Sequence, residues 1–231
     1  MTIQTTRIVW PQTHRIIRSR FPPIDLFEDI ADPADWEAIA SAEAKLNPRV
    51  IADIGDLSLV PEDRRVSGPG ASWAMAPFVH VSTDRPSRFS DGTFGLYYAG
   101  DTLEVALFET AHHHARFMGK TNETPGWTSD FRQLIGSLDA ELVDIASLSD
   151  AKLILDANNW HHGQQHGRDW RDQGFEGCVY PSVRSPEGRC VGVFWPDICG
   201  IPVQGKHFSY EWDGQKVSRI RDLETSEIFT F

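Results

Sequence analysis

Apolar positions recur at helical spacing in two stretches of the chain. The first begins at Asp32-Pro33, a pair typical of a helix start, and ends before Asn47-Pro48. Its apolar positions are Trp36, Ile39, Ala40 and Leu46. The second begins at Asp101-Thr102-Leu103-Glu104, which has the acid-x-x-Glu form of a capping box, and continues to about Met118. Both stretches are predicted to be helices.

Short runs rich in aromatic and β-branched residues predict strands elsewhere. These runs cover Phe94 to Ala99, Glu141 to Ile145, Gly177 to Val183 and Cys190 to Trp195, and the apolar run Trp73 to Val81 predicts a further, buried strand. Another helix is predicted from Asp150 to His162. Because strands and helices do not alternate strictly, the pattern predicts an α+β fold rather than a doubly wound sheet.

Composition limits the classes of partner. The chain has 231 residues, and 22 Lys and Arg against 33 Asp and Glu give a formal charge of −11, which disfavours a nucleic-acid partner. No run approaches the length of a membrane helix and no secretory leader is predicted, so a cytoplasmic protein that does not enter the membrane is expected. Cys178, Cys190 and Cys199 form no C-x-x-C pair and are predicted to be buried thiols.

Basic residues are concentrated at the N-terminus. Arg7, Arg15, Arg18 and Arg20 all precede the first acidic residue, Asp25. Such a cluster on an acidic protein indicates either a solvated basic tail or a local site for an anion.

Two charged residues in the middle of the chain are candidates for chemistry. Glu109 interrupts an apolar helical segment, where a carboxylate is costly to bury unless it is paired. It belongs either to a functional site or to an ordinary helix-edge pair with Arg116 or a histidine. Arg88 precedes the turn Phe89 to Gly92, where its guanidinium could bind a phosphate or carboxylate through two hydrogen bonds. Tyr97 and Tyr98 follow on opposite faces of a strand, so one ring is predicted to be core and the other to line a cleft.

Ser182 lies where Pro181 is predicted to end a strand. It lacks the G-x-S-x-G elbow of serine hydrolases, so hydrogen bonding is expected of it, either at a site or within a turn. The histidines at 112 to 114, 162 and 166 have no H-E-x-x-H frame, and no metal site is predicted from them.

Together these residues resemble the RES domain, a family named for its arginine, glutamate and serine, which is the toxin half of bacterial toxin and Xre-type antitoxin pairs. Arg88 to Ala99 is similar to the family's Gly-Arg-Trp-Asn-x-x-Gly and Tyr-x-Ala stretch. Leu103 to His112 is similar to its Leu-Glu-x-x-x-His-like helix, and Gly177 to Arg184 to its Gly-x-x-Tyr-x-Ser strand end. Ser87 stands where the family has glycine, and residues 24–80 form a longer helix-and-loop region than compact members have.

The resemblance implies one ADP-ribosyltransferase-like domain over residues 1–231, with a mixed sheet and flanking helices. It implies that the protein binds NAD and cleaves the bond between nicotinamide and ribose, with Glu109, Arg88 and Ser182 as catalytic residues. Glu109 would stabilise the developing positive charge, and Ser182 would orient the nicotinamide ribose. Arg88 and Arg20 would hold the pyrophosphate, with Arg15 and Arg18 as competitors of Arg20. Tyr97 would pack on the nicotinamide or its ribose.

Several alternatives stay open at this point. The acceptor of ADP-ribose is water, phosphate or a protein, and the expected binding partner is an Xre-like antitoxin. A different class of function is a non-catalytic module that holds a nucleotide or an acidic peptide among the arginines. A third is a metal-dependent hydrolase that uses the histidines.

Overall fold

The computed structural model describes residues 3–20, 36–38, 41, 55–185 and 187–230. Eight strands lie in this part of the chain: β1 (Thr5–Arg18), β2 (Tyr97–Gly100), β3 (Thr128–Asp144), β4 (Gly177–Pro181), β5 (Arg189–Val193), β6 (Val203–Trp212), β7 (Val217–Asp222) and β8 (Ile228–Thr230). Its labelled helices are α1 (Ala71–Val79), α2 (Leu103–Met118), α3 (Ala151–Ile154) and α4 (His161–Asp172). Short 3-10 turns occupy Leu57–Leu59, Glu62–Arg64, Ile145–Ser147 and Pro196–Ile198.

The strands form one mixed sheet in the order β1-β2-β5-β4-β3-β6-β7-β8. β1 also pairs with β3, so the first five strands in this order close into a ring. Only β3 and β4 run parallel among the strand pairs of the described residues. The predicted α+β class with a mixed sheet and flanking helices is confirmed.

The N-terminal arginine cluster belongs to a strand, so the interpretation as a solvated tail is wrong for β1. Ile8 and Trp10 are buried on one side of β1 and Ile16 on the other, and the strand pairs with β3 from Thr5↔Val143 to Arg18↔Phe131. Long-range pairing with a complementary apolar strand therefore orders a segment whose charge indicated solvent.

Two further assignments were wrong. Residues 73–81 were predicted to be a strand, but Ala71–Val79 is a helix whose N-cap, Gly70, has φ 86°. A run that is apolar on every side suits a buried helix as well as a buried strand, and alanines favour the helix. The predicted helix 150–162 is divided into α3 and α4, because the Asp156 carboxylate accepts the backbone N–H groups of Asn158 and Asn159 and ends the first helix.

The α2 helix confirms its prediction, with one shift at its start. Thr102, not Asp101, is the N-cap, and its hydroxyl accepts the N–H of Val105. Asp101 instead accepts the N–H of Arg189 at the start of β5. This contact ties the helix start to the sheet.

Three apolar clusters hold the elements together. α1 packs Met75 and Phe78 against β1 and β3, and α2 packs Leu107 and Ala111 against β1, β3 and β6. The third cluster joins Trp170 of α4 to Phe89 and Tyr180. The three cysteines are free and buried, as predicted, and burial raises the pKa of each thiol.

Part of the predicted organisation lies outside the described residues. Of the helix predicted from Asp32-Pro33 to Asn47-Pro48, residues 36–38 and 41 are described, and they are helical. The extent of one domain over residues 1–231 stays a prediction. Within the described ranges, no helix is both long and apolar enough to cross a membrane.

Candidate functional site

A cavity of about 310 Å³ lies between α2, the β1 and β2 strands and the loop before Phe89. This volume is at the lower end of the range found for small-molecule sites. Several predicted residues meet there, including Arg88 and Glu109. The lining comprises His14, Arg15, Ile16, Pro86, Ser87, Arg88, Tyr98, Ala99, Gly100, Ala106, Glu109, Thr110, His113, Trp160, Tyr180 and Cys190.

Glu109 is held in place by a residue from a distant part of the chain. The Ser182 hydroxyl donates a hydrogen bond of 2.7 Å to Glu109 Oε1. Ser182 is 6% exposed and follows Pro181, at which β4 ends as predicted. The partner of Glu109 is thus neither Arg116 nor a histidine, which were the helix-edge alternatives.

The Ser182 hydroxyl has no hydrogen-bonding capacity left over. It donates its proton to Glu109 and accepts the backbone N–H groups of Arg184 at 3.1 Å and Ser185 at 2.9 Å. A hydroxyl has one proton and two lone pairs, so all are used within the protein. Ser182 does not line the cavity, and its geometry fits it to orient the carboxylate beside it.

Arg88 lines the cavity from the turn that precedes Phe89. Its Nη1 donates to the Asp156 carbonyl oxygen at 2.8 Å. The neighbouring Phe89 is fully buried and packs edge-on against Tyr180, with ring centroids 5.1 Å apart. The buried phenyl anchors the turn, so the guanidinium next to it stays at the cavity.

Two glycines of α4 allow that turn to lie directly on the helix. A Cβ at Gly163 would lie 2.5 Å from the Arg88 carbonyl oxygen, and one at Gly167 would lie 2.1 Å from that of Phe89. Between them, Gln164 Nε2 donates to the Ser87 carbonyl oxygen at 2.9 Å. The helix therefore fixes the backbone that carries Arg88.

Arg15 is the N-terminal arginine that lines the cavity. Its Nη1 donates to the Tyr98 carbonyl oxygen at 3.0 Å, and its Nε is buried without a hydrogen-bond partner. Desolvation by burial lowers the pKa of this guanidinium. Arg20, the predicted pyrophosphate ligand, is exposed beyond the end of β1, and neither it nor Arg18 is among the described lining residues.

The two arginines at the cavity form no direct ion pair among the described residues, although the Asp156 carboxylate lies within electrostatic reach of Arg88. No ion pair joins Arg15 or Arg88 to a carboxylate in the part of the chain that the structure describes. Two guanidinium groups without an ion-pair partner beside one cavity favour an anionic ligand.

The strand places Tyr98 at the cavity and Tyr97 in the core. Tyr97 is 2% exposed, and the guanidinium carbon of Arg15 lies 4.9 Å from its ring centroid. The Tyr98 hydroxyl bonds to Ser87 Oγ at 2.9 Å and accepts the N–H of Phe89 at 3.2 Å. The prediction that Tyr97 contacts a ligand is therefore corrected. Tyr97 packs against Arg15 from the core, and Tyr98 is the tyrosine of this strand that faces the cavity.

The consecutive histidines have three different surroundings. His112 Nε2 accepts a hydrogen bond from Arg184, and burial, with Arg184 nearby, lowers its pKa to about 4. His113 lines the cavity, and burial and the charge of Arg116 lower its pKa to about 4. His114 is buried against Phe131 and Tyr210. Among the described residues, no group of three or more metal-ligating side chains comes together.

Sequence reasoning did not find His113, Trp160 or His14 as lining residues. Trp160 precedes α4 and reaches the cavity only because α4 packs beside Arg88. For His113, the i, i+4 spacing from Glu109 on one helix was a signal that could have found it.

The chain is similar to known proteins in sequence and in structure. The chain is 27% identical over 210 residues to the uncharacterized protein y4oC of Sinorhizobium fredii, covering 90% of this chain and 85% of that protein. In structure it is similar to a chain of the M. tuberculosis MbcT–MbcA toxin–antitoxin complex, with a TM-score of 0.36 and 13% identity over 52% of this chain and 71% of that one. The family model of the RES domain matches residues 63–213, which include Arg88, Glu109 and Ser182. The chain belongs to the RES domain family.

Proposed function

We propose that this protein is the toxin of a toxin–antitoxin pair, an enzyme that binds NAD and cleaves its nicotinamide–ribose bond. The observation that carries the proposal is the cavity in which the Glu109 carboxylate, oriented by Ser182, meets Arg15 and Arg88. Membership of the RES family supports it, since the resemblance described above implies NAD as the substrate and a toxin as the biological role.

The arginines supply the binding energy in this proposal. A dinucleotide carries a pyrophosphate, and no ion pair of the described residues engages Arg15 or Arg88, so both guanidinium groups can bind it. The free Nε of Arg15 fits an additional hydrogen bond to a phosphate oxygen, which would also restore solvation lost by burial. Arg15 thus takes the place that the resemblance gave to Arg20.

Glu109 is proposed as the catalytic residue. Cleavage of the nicotinamide–ribose bond creates positive charge on the ribose, and a fixed carboxylate beside it lowers the energy of that transition state. Because Ser182 already holds one carboxylate oxygen, little reorganisation is needed when the charge develops. His113 is neutral near pH 7, since its pKa is lowered to about 4, and it adds no opposing charge.

The test is an incubation of purified protein, free of any partner, with NAD labelled in the adenosine half. The expected result is loss of NAD with release of nicotinamide, and the labelled product identifies the acceptor as water, phosphate or protein. NAD that binds without being consumed would replace the proposal with the non-catalytic nucleotide-binding module. If NAD is neither bound nor consumed, both the NAD-cleaving enzyme and the nucleotide-binding module are excluded.

Ser182→Ala is expected to lower kcat by about 10-fold while the KM for NAD changes little, since the hydroxyl orients Glu109 and does not line the cavity. The loss of an acceptor for two N–H groups should also cost about 2 kcal/mol of stability. Steady-state kinetics and thermal unfolding measure the two effects, with Ser185→Ala in the same loop as the control. An equal rise in KM and fall in kcat/KM at constant kcat would contradict the positioning role.

The biological setting follows from the same family membership. An Xre-like antitoxin is the proposed partner, and the cytoplasm, which supplies NAD, is the proposed location. The partner is proposed to block the cavity, because an accessible NAD-consuming site is harmful to a growing cell. Purified complex that still consumes NAD at the rate of the free protein would exclude this mode of inhibition.

A further inference from the structure

Trp160 is a large aromatic residue at the cavity that belongs to none of the three apolar clusters of the described residues. The two tyrosines of the lining, Tyr98 and Tyr180, both pack into the cluster around Phe89. The usual structural reason for a half-buried tryptophan, which is core packing, therefore does not account for Trp160.

The indole is held in one place by the chain around it. The Trp160 carbonyl oxygen accepts the N–H of Gln164 in the first turn of α4, and the preceding segment is joined to Arg88 through the Asp156 carbonyl oxygen. The Arg116 guanidinium lies 4.6 Å from the indole centroid and covers one ring face. A preorganised ring costs little conformational entropy when a ligand binds.

The polar atom of the indole has no partner within the protein. Trp160 Nε1 is buried and makes no hydrogen bond among the described residues. Buried tryptophan N–H groups normally find an acceptor, so an orphan donor in a cavity wall fits a ligand that supplies one.

The position of the Trp160 indole relative to Glu109 indicates which part of NAD the indole would contact. His113 lies one helical turn after Glu109 on α2, and its ring centroid is 6.0 Å from that of Trp160. Nicotinamide is bonded directly to the ribose carbon that reacts, whereas adenine lies beyond the pyrophosphate. A ring subsite one turn from the catalytic carboxylate is therefore within reach of the nicotinamide.

We infer that Trp160 and His113 form the subsite for the nicotinamide ring, with the ring stacked on the indole face that Arg116 leaves free and another oxygen of the substrate accepting the Nε1 proton. This inference rests on the proposed function. The nicotinamide ring of NAD is cationic, and a tryptophan face binds a cation better than it binds the neutral ring that leaves.

The experiment measures binding by calorimetry in the Glu109→Gln background, so that NAD is not consumed. Trp160→Ala is expected to weaken binding of NAD by about 10- to 100-fold, the effect of one stacked ring. Binding of ADP-ribose, which lacks nicotinamide, should change by less than about 2-fold. Trp160→Phe keeps a stacking face and loses the Nε1 donor, so its affinity for NAD should fall between those of the parent and the alanine variant.

The control is Trp127→Ala, since Trp127 is 46% exposed at the start of β3 and does not line the cavity. Equal weakening of NAD and ADP-ribose by Trp160→Ala would overturn the subsite, as would unchanged affinity for NAD. Absence of binding by both ligands to the Glu109→Gln protein would instead remove the proposed function, and the subsite with it. Thermal unfolding of each variant confirms that a folded protein is compared.

Discussion

Glu109→Gln is expected to lower the rate of NAD cleavage by at least about 100-fold, the range seen when one electrostatic stabiliser of a transition state is removed. Glutamine keeps the size of the side chain and an oxygen that can accept the Ser182 hydroxyl proton. It removes the negative charge that the cationic ribose requires. The effect should fall on kcat, because the proposed contacts of Arg15 and Arg88 with the pyrophosphate would be unchanged. Release of nicotinamide from NAD, followed over time, measures it.

The matched control is Glu104→Gln in the first turn of the same helix. Glu104 is exposed, and it does not line the cavity. Its replacement should leave the rate within about 2-fold of the parent and cost about 0.5 kcal/mol at the helix N-terminus. A Glu109→Gln protein that melts normally and cleaves NAD at the parental rate would end the assignment of Glu109 as the catalytic carboxylate.

Gly167→Ala is expected to destabilise the fold by about 3 kcal/mol, at the upper end for one added methyl group. In most helices this change stabilises by up to about 1 kcal/mol, because alanine has the higher helix propensity. Here the new Cβ would lie 2.1 Å from the Phe89 carbonyl oxygen and 2.9 Å from Phe89 Cβ, so α4 must move away from the turn. A fall of about 10 °C in Tm should follow.

The turn that would be displaced carries Arg88, so the KM for NAD should rise in the same variant below its Tm. Gln165→Ala on the exposed side of α4 is the control and should leave both quantities close to the parental values. A Gly167→Ala protein that melts at or above the parental Tm would show that the helix and the turn are not packed as described.

The parts of the site that the sequence predicts are those encoded locally. The helix pattern around Glu109, the turn after Arg88 and the strand end at Pro181 are each visible within about ten residues, and the fold places them together. Their pairing was not visible, because the bond from Ser182 to Glu109 joins residues 73 positions apart. The sequence therefore indicated residues that lie at or beside the cavity, but not that Ser182 contacts the carboxylate rather than the cavity.

The errors have a common physical origin in tertiary context. The sequence favoured Arg20 over Arg15 as the cavity residue. Arg15 is directed to the cavity by the pairing of β1 with β3, which joins residues more than 100 positions apart and is not visible in the sequence. Alternation along a strand shows that Tyr97 and Tyr98 lie on opposite faces of β2. It does not show which of these faces meets α2, so the sequence could not tell which ring reaches the cavity. The segment Ala71–Val79 is apolar on all sides, so its period could not separate helix from strand.

The place of β1 in the ring of strands affects when the site can exist. Residues 5–18 leave the ribosome well before their partners, residues 131–143, and before the lining residue Cys190. Closing so long a loop is slow and cannot begin before both segments are available. A chain still being translated therefore lacks an assembled cavity, and any partner that recognises the cavity would meet only finished molecules.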